Sequence, residues 1–200
     1  MLVLAADTSL PILSVAIVRD EGLIAAVAME GKGSRNEKLL PAIDWLLSEN
    51  GIDRREIDLF AVTRGPGSFT GVRIGLATIQ GLALVLGRPV CAMSTHEAIA
   101  HGEEGAIVVF DDAGRGDRFV SAFDDGVEVI PPRLQADLDA DGRRSIEVAG
   151  FLQHGNVALR CGRRAAEIET RGDGGRYRDV TPIYVRLAEA EVKLQQKQNG

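Results

Sequence analysis

The chain has 200 residues, of which 45% are hydrophobic and 26% are charged, and its formal net charge is −6. This composition is that of a soluble globular protein, and the length suits one large domain or two small domains that share a cleft. A net negative charge argues against a protein that grips a nucleic-acid backbone by itself, because that task needs a basic surface.

The start of the chain predicts three strands and then a helix. The apolar runs typical of strands are 2–6, 13–19 and 23–30. Between the second and third run, Asp20-Glu21-Gly22 predicts a hairpin turn. The apolar spacing over 34–50 predicts an amphipathic helix, which Ser34 could cap at its start and Gly51 could end in a left-handed conformation.

Strand and helix patterns continue to alternate up to residue 102. They comprise a strand over 59–64, a helix over 69–87, a strand over 89–94 and a short helix near 95–102. Alternation of this kind places the chain in the α/β class.

Beyond the first hundred residues the pattern is weaker. Two further strands are predicted at 106–110 and 119–123, around a turn rich in Asp and Gly. Pro131-Pro132 and the acidic run from Asp137 to Asp141 mark loops. The stretch over 126–180 offers little helix, which indicates a short second unit.

A joint between two domains is predicted at Gly102 to Gly105. We expect a first domain over 1–103 and a truncated second domain over 104–200. The tail after Leu187 is expected to be a frayed helix or disordered.

The cysteines and the N-terminus indicate a cytoplasmic protein. Cys91 and Cys161 are isolated and lack C-x-x-C spacing, which predicts buried, reduced thiols. The apolar run from Leu2 to Ala6 has no basic flank and is a strand, not a signal peptide. No window approaches the roughly 18 apolar residues that a membrane span requires, so no membrane partner is expected.

The segment from Gly65 to Gly75, GPGSFTGVRIG, is the most informative in the chain. It joins a predicted strand to a predicted helix, where backbone N–H groups and a helix N-terminus could meet a ligand or a neighbour. No lysine follows its second glycine, so it is not a Walker A loop. The spacing of its first three glycines is one residue too long for the dinucleotide fingerprint.

This segment resembles the TsaB family of bacterial tRNA threonylcarbamoyladenosine biosynthesis proteins, which older descriptions call glycoprotease-like. Other segments are similar to family motifs: Asp7-Thr8-Ser9, Asp111 to Phe119, and Pro182 to Arg186 followed by Ala188 to Glu191. The resemblance covers 1–125 and the C-terminal strand and is faint over 126–180. It implies an actin-like fold, with a ribonuclease H-like N-terminal domain of mixed sheet and helices and a shortened second α/β domain.

By this resemblance the chain is a non-catalytic subunit that joins a TsaD-type enzyme and a TsaE-type ATPase to make N6-threonylcarbamoyladenosine (t6A) at position 37 of tRNA. It would meet tRNA only through that complex and form a homodimer when alone. The arginines between Arg160 and Arg186 are interpreted as a solvated face, with a tRNA contact as the alternative. The second hypothesis is a free-standing ATPase or small-molecule kinase of the actin-like superfamily.

The nucleotide cleft of that superfamily corresponds to two segments of this chain. The candidate residues are Asp7, Thr8 and Ser9 in the first and Asp112, Gly114 and Gly116 in the second. Asp7 would face metal-bound phosphate, and the second segment would be the opposite phosphate loop. The alternative is that Asp7 caps a strand end and the glycines make a hairpin turn. No cofactor is expected, although ATP or ADP would be the ligand of a working cleft.

No catalytic or metal-binding residue is predicted. TsaD-type relatives depend on an H-x-x-x-H metal site, whereas His96 and His101 are five apart and His154 is solitary. The acidic turn from Asp137 to Asp141 has no glutamate at the twelfth position of an EF-hand loop. No serine or cysteine has a recognisable base partner, so a peptidase would lack its nucleophile.

The helices predicted over 34–50 and 69–87 are apolar over an arc too wide for one sheet-facing stripe. Gly71 and Gly75 stand four apart, where they would let another backbone approach. The alternatives are packing within the chain and, as the resemblance implies, a surface for dimerisation and for the TsaD-type partner. The predicted interface residues are Leu39, Leu40, Ile43, Leu47, Gly71, Val72, Gly75, Leu76 and Ile79.

Overall fold

In the computed structural model, which describes residues 1–30 and 35–185, the first half of the chain forms a five-stranded sheet. Its strands are β1 (Leu2–Asp7), β2 (Leu13–Arg19), β3 (Gly22–Met29), β4 (Leu59–Thr63) and β5 (Val90–Met93). The sheet order is β3-β2-β1-β4-β5. β1 is antiparallel to β2 and parallel to β4, and β2 and β3 form the predicted hairpin, so these sequence predictions are confirmed.

Five α-helices accompany the strands in the part of the chain that the structure describes. They are α1 (Arg35–Glu49), α2 (Phe69–Leu86), α3 (Thr95–Ala100), α4 (Val148–Phe151) and α5 (Val157–Thr170). Both long helices of the first half are confirmed, and Gly51 has the expected left-handed conformation at φ 63°. The predicted cap Ser34 lies outside the described residues.

The side chains of β1 alternate between two hydrophobic cores. Leu2, Leu4 and Ala6 join a core with residues of α1 and α2, whereas Val3 and Ala5 join a core with residues of α3 and α5. Successive side chains of a strand point to opposite faces, so the two cores lie on the two faces of the sheet. Burial on both faces explains why the strand reads as a continuous apolar run.

A second sheet of four strands has the order β8-β7-β6-β9. These strands are β6 (Ala106–Gly114), β7 (Asp117–Asp124), β8 (Val127–Gln135) and β9 (Arg144–Glu147). The predicted loop at Pro131-Pro132 is wrong, because both prolines lie within β8. β8 is an edge strand, and the register of its pairing with β7 shifts between Val120 and Ala122, so that neither proline has a partner in the ladder.

Helix α5 comes from the second half of the chain but packs on the first sheet. Its buried residues Ala158, Cys161 and Ala165 belong to the core that contains Val3 and Ala5. A Cβ added at Gly162 would lie 3.2 Å from the Ala5 side chain, which shows how closely the helix approaches β1. The domain boundary between residues 103 and 104 stays a prediction, and any such division must count α5 with the first sheet.

By length and composition alone, α2 is a candidate membrane span, with a mean hydropathy of 1.6 over 18 residues. This corrects the expectation that no window approaches such a segment. The core helix of a soluble protein passes the same test, and six residues of α2 are buried in this fold.

The start of α2 lies directly against the end of β1. A Cβ at Gly71 would overlap the carbonyl oxygen of Thr8, and a Cβ at Gly75 would overlap Thr8 Oγ1. The Thr8 hydroxyl donates to the Gly71 carbonyl at 2.6 Å. Gly71 therefore admits the chain's own backbone and Gly75 admits the Thr8 side chain, whereas a Cβ at Gly81 would meet nothing within 4 Å in the described part of the chain.

We expect Gly71→Ala and Gly81→Ala to change the free energy of unfolding in opposite directions. Gly71→Ala should destabilise the fold by about 1–3 kcal/mol, because the new methyl group has to displace backbone. Gly81→Ala should stabilise it by about 0.5–1 kcal/mol, because alanine costs less backbone entropy within a helix and meets no neighbour here. Urea denaturation of both variants beside the parent chain measures the two shifts, and shifts of the same sign would contradict the described contact.

Candidate functional site

A cleft of about 570 Å³ lies between the start of α2 and the β6–β7 hairpin. One wall consists of residues 66–69 and Val72, and the opposite wall consists of residues 111–114 and Phe119. Residues 183–185 also line it. A nucleotide site formed by the two predicted segments would be expected in this cleft.

The structure brings only part of the predicted nucleotide site to this cleft. Asp112 and Gly114 line it, whereas Gly116 does not. The segment Gly114-Arg115-Gly116 has positive φ angles throughout and connects the antiparallel strands β6 and β7. It has the form of a hairpin turn, which is the alternative that the sequence left open.

Asp7, Thr8 and Ser9 are at most 1% exposed and do not line the cleft. Asp7 Oδ1 accepts hydrogen bonds from the Ser9 N–H at 3.2 Å, from the Ser9 hydroxyl at 2.6 Å and from the Thr63 hydroxyl. Asp7 Oδ2 is buried without a hydrogen-bond partner. A Cβ at Gly67 would overlap the Ser9 carbonyl, so the glycine loop is closed over this strand end.

Burial raises the pKa of Asp7 above its ordinary value, because a carboxylate loses its hydration there, and the hydrogen bonds from Ser9 and Thr63 oppose that shift. In this geometry Asp7 acts as a strand-end cap and does not reach the cleft. A role in binding phosphate stays a prediction.

The charge of the cleft does not suit a bare phosphate. Within 1–30 and 35–185, its lining residues include Asp111 and Asp112 but no lysine, arginine or histidine. Burial raises the pKa of Asp111, and repulsion from Asp112 and Glu147 adds to the rise. The N-terminus of α2, capped by Ser68, supplies only a partial positive charge. A nucleotide bound here would need a divalent cation between its phosphates and the two carboxylates.

No group of three or more His, Cys, Asp or Glu side chains that could hold a metal ion occurs within 1–30 and 35–185. His96 is buried, and its Nδ1 lies 2.8 Å from the Ser121 hydroxyl. In the acidic turn, Asp139 Oδ1 accepts the Asp141 N–H at 3.0 Å, which is a local turn contact. These groups therefore have structural partners in the fold.

Three residues that the sequence did not single out meet at the edge of the cleft. The rings of Phe69 and Tyr184 are 4.9 Å apart, and the Arg73 guanidinium lies 3.9 Å from the centre of the Phe69 ring. Arg73 Nε donates to the Tyr184 hydroxyl at 2.7 Å. The spacing of Phe69 and Arg73, four residues apart on a helix, was a visible signal for their contact. Tyr184 was not visible as their partner, because its sequence separation is large.

Residues 181–185 form no strand where one was expected at the C-terminus. The Ile183 N–H nevertheless donates to the Arg64 carbonyl at 2.7 Å, which holds the segment beside β4. Arg186 and the predicted motif from Ala188 to Glu191 lie outside the described residues.

The arginines at the start and middle of α5 are engaged in ion pairs. Arg160 binds Glu103 at 2.9 Å, and Arg164 binds Glu97 at 3.2 Å and Glu167 at 2.9 Å. These contacts tie α5 to α3 and to the segment that follows it. The expected solvated basic face is therefore wrong for these two arginines.

The structure places eight of the nine predicted interface residues in the chain's own core. They are Leu39, Ile43, Leu47, Gly71, Val72, Gly75, Leu76 and Ile79. Leu40 is the exception, with 44% of its surface exposed. The apolar stripe of each helix faces the sheet, and Leu40 is the predicted residue that lies on the exposed side. The role of the nine residues in an interface stays a prediction.

α1 and α2 also carry exposed residues, which we call the outer face: Leu40, Trp45, Ala77, Gly81 and Leu84. Trp45 is 54% exposed and Leu84 is 83% exposed. Ala77, Gly81 and Leu84 follow helical spacing and therefore lie along one side of α2.

Comparison with known proteins gives matches over most of the chain. The model of a family described as TsaD, tRNA N6-adenosine threonylcarbamoyltransferase, matches residues 32–160. An uncharacterized protein of Mycobacterium tuberculosis is 31% identical over 163 residues, which cover 80% of this chain and 77% of that protein. The tRNA threonylcarbamoyladenosine biosynthesis protein TsaB of Bacillus subtilis is 28% identical over 96% of this chain and 97% of its own length. Among solved structures, YeaZ from Pseudomonas aeruginosa has a TM-score of 0.72 at 26% identity, over 92% of this chain and 99% of that one.

The buried carboxyl of Asp7 gives stability a pH dependence of known sign. Because its pKa is raised on folding, the folded chain keeps this proton where the unfolded chain has lost it. The contribution of Asp7 to the free energy of unfolding is therefore complete below pH 3.8, the ordinary pKa of an aspartate. It is lost as the pH rises through the raised pKa of the folded chain. Asp7→Asn keeps an acceptor for Ser9 and Thr63 but does not titrate. The stability of the variant relative to the parent should improve with rising pH by up to about 1.4 kcal/mol per unit. Urea unfolding at several pH values from about 4 to 8 measures this, and parallel profiles would contradict it.

Proposed function

The chain belongs to the protein family that the TsaD model describes and, within it, to the TsaB proteins, and from this premise we propose that it is a non-catalytic subunit of the machinery that makes t6A in tRNA. The predicted actin-like α/β fold is confirmed by the likeness to YeaZ structures at 25% and 26% identity. Relatives named TsaB are described as tRNA threonylcarbamoyladenosine biosynthesis proteins, which supports a place in the same biosynthesis.

In this role the chain holds a TsaD-type enzyme in the cytoplasm, with a TsaE-type ATPase as the third member, and contributes no chemistry of its own. Burial raises the pKa of Cys91 to about 12, so its thiol stays protonated at neutral pH. Burial also lowers the pKa of His96 to about 3, so its imidazole stays uncharged. A buried thiol and a buried imidazole of this kind are poor nucleophiles and acid–base groups, which supports a structural role.

The observation that carries the proposal is the exposed, largely apolar outer face of α1 and α2. Trp45 and Leu84 leave large apolar surfaces in solvent, which is a mark of interaction sites. Gly81 lies between Ala77 and Leu84 on the same side of α2. A glycine within a helix costs about 1 kcal/mol relative to alanine, and no atom of the described residues would lie within 4 Å of a Cβ added at Gly81. Small residues flanked by large apolar ones suit the close approach of a second helix.

The TsaD-type partner covers the outer face in this proposal, and a second copy of the chain covers it when the partner is absent. Contact with tRNA then occurs only within the complex. The net charge of −6 and the ion pairs of Arg160 and Arg164 support this arrangement, because they leave little basic surface for a phosphate backbone.

Leu84→Arg and Gly81→Arg should each weaken binding to the TsaD-type protein of the same organism by on the order of 100-fold, because a charge replaces contact at the centre of the surface. Size-exclusion chromatography and calorimetry of the purified proteins measure the association, and t6A formation in a reconstituted mixture should fall with it. Both positions are exposed, so the circular dichroism spectrum of each lone variant should match that of the parent and show that the fold is intact.

The matched control is Val129→Arg, which places the same charge on an exposed residue of β8 in the other sheet. It should bind the partner as the parent does. Normal association of both outer-face variants would contradict the proposed surface, whereas loss of binding in the control would show that any added arginine disturbs the protein.

The second candidate function is a free-standing ATPase or small-molecule kinase, and the 570 Å³ cleft beside the start of α2 is the observation that favours it. Calorimetry of the lone chain with Mg-ATP tests this alternative. The paired variant is Asp112→Asn, because Asp112 lines the cleft and Asp7 does not. We expect no binding heat. Micromolar affinity that Asp112→Asn abolishes would instead establish the nucleotide function.

A further inference from the structure

A second cleft, of about 600 Å³, opens where the parallel strands β4 and β5 end. Arg64 follows β4 and Ser94 follows β5, and both line it. Residues of α5 and of the one-turn 3-10 helix Gly174–Tyr177 also line it, and so do residues of β8. Ligands of open α/β sheets bind in crevices at the carboxyl ends of strands, and small-molecule sites have volumes in this range. The position and size of this cleft are therefore those of a ligand site.

Several charged groups of the cleft already bind one another. Arg164 lies 3.2 Å from the Glu97 carboxylate, and the Tyr177 hydroxyl donates to the same carboxylate at 2.7 Å. Arg64 lies 3.1 Å from Asp179. Partly buried, charge-assisted contacts of this kind fix the side chains that make them, so these groups form a prearranged wall.

Charges of both signs remain unpaired in the cleft. Arg176, on the 3-10 helix, and Glu128, on β8, make no side-chain hydrogen bond and no ion pair with any residue that the structure describes. Asp173 lines the cleft beside Arg176 and makes no capping hydrogen bond with its side chain. Burial raises the pKa of Glu128, repulsion from Glu97 adds to the rise, and attraction to Arg64 opposes it.

Apolar side chains complete the lining. They are Ala92, Met93, Val127, Pro131, Pro132, Ile168 and Ile183. The prolines that the sequence assigned to a loop thus become part of a firm apolar surface on β8. Ile183 is the one residue that lines both clefts in the described part of the chain.

We propose that this cleft binds a free amino acid or another zwitterion of similar size. The ligand's carboxylate pairs with Arg176, its ammonium pairs with Glu128, and its side chain lies on the apolar surface of β8. A ligand with one charge satisfies only one of the two groups. Arg171 also lines the cleft but is paired with Glu167. A bare phosphate would therefore meet unpaired Arg176 together with the carboxylates of Glu128 and Asp173, which repel it.

Titration of the full chain with L-leucine, L-serine and L-glutamine, followed by NMR chemical shifts or calorimetry, tests the proposal. At least one of them should bind with a dissociation constant below about 1 mM. For L-leucine, 3-methylbutylamine lacks the carboxylate and 4-methylpentanoate lacks the ammonium, and each should bind at least about tenfold more weakly than the amino acid. Inorganic phosphate alone should not bind.

Arg176→Gln and Glu128→Gln should each weaken amino-acid binding by about tenfold or more, because each removes one charge-assisted hydrogen bond. The matched controls are Arg163→Gln, on α5 but outside the cleft, and Glu104→Gln, an exposed carboxylate. Both controls should bind as the parent does.

Three results would overturn the proposal. They are the absence of binding of all three amino acids up to about 10 mM, binding that neither cleft variant changes, and phosphate binding that depends on Arg176 but not on Glu128. The measurement uses the lone chain, so its outcome is separate from the association that the proposed function requires.

Discussion

The end of β1 meets the start of α2 through close contacts of backbone atoms and the Thr8 side chain, and the other surfaces follow from this contact. The Ser68 N–H donates to the Ser9 carbonyl at 2.7 Å, and Gly67 and Gly71 leave no room for a Cβ. Because the contact is close and includes backbone on both sides, it fixes the distance of α2 from the sheet and the rotation of α2 about its own axis. It buries Asp7 on one side and turns Gly81 toward solvent on the other.

The elements of the first sheet could be predicted because each carries its own local signal, such as the apolar run of β1 or the glycine that ends α1. The rotation of α2 could not be predicted in the same way. Gly71 and Gly75 form one pair of small residues four apart, and Ala77 and Gly81 form another. Sequence spacing alone does not show which pair faces the sheet. The decision depends on Thr8, which is more than sixty positions away from Gly71 and invisible in any local window.

The second half was harder to predict because its elements depend on distant partners. Proline usually indicates a loop, but an edge strand tolerates it. The position of β8 at an edge is decided only when the whole sheet has folded. Helix α5 places Arg160 and Arg164 near its buried face, and these charged residues make the apolar stripe of the helix hard to recognise in the sequence. Their carboxylate partners, Glu103 and Glu97, lie 57 and 67 positions earlier in the chain. The arginines of α5 therefore find their ion-pair partners only when both halves of the chain are folded together.

The two clefts differ in the chemistry that their linings can offer. The first contains part of the predicted nucleotide site, yet the charged lining residues that the structure describes are acidic, and Asp7 is buried and does not line it. The second carries an unpaired arginine on the 3-10 helix and an unpaired glutamate on β8, and residues of α5 complete its wall. Because α5 also completes the core of the first sheet, this second cleft forms only in the fully folded chain. The outer face of α1 and α2 needs only the first sheet beneath it, so the two surfaces can act independently within one small protein.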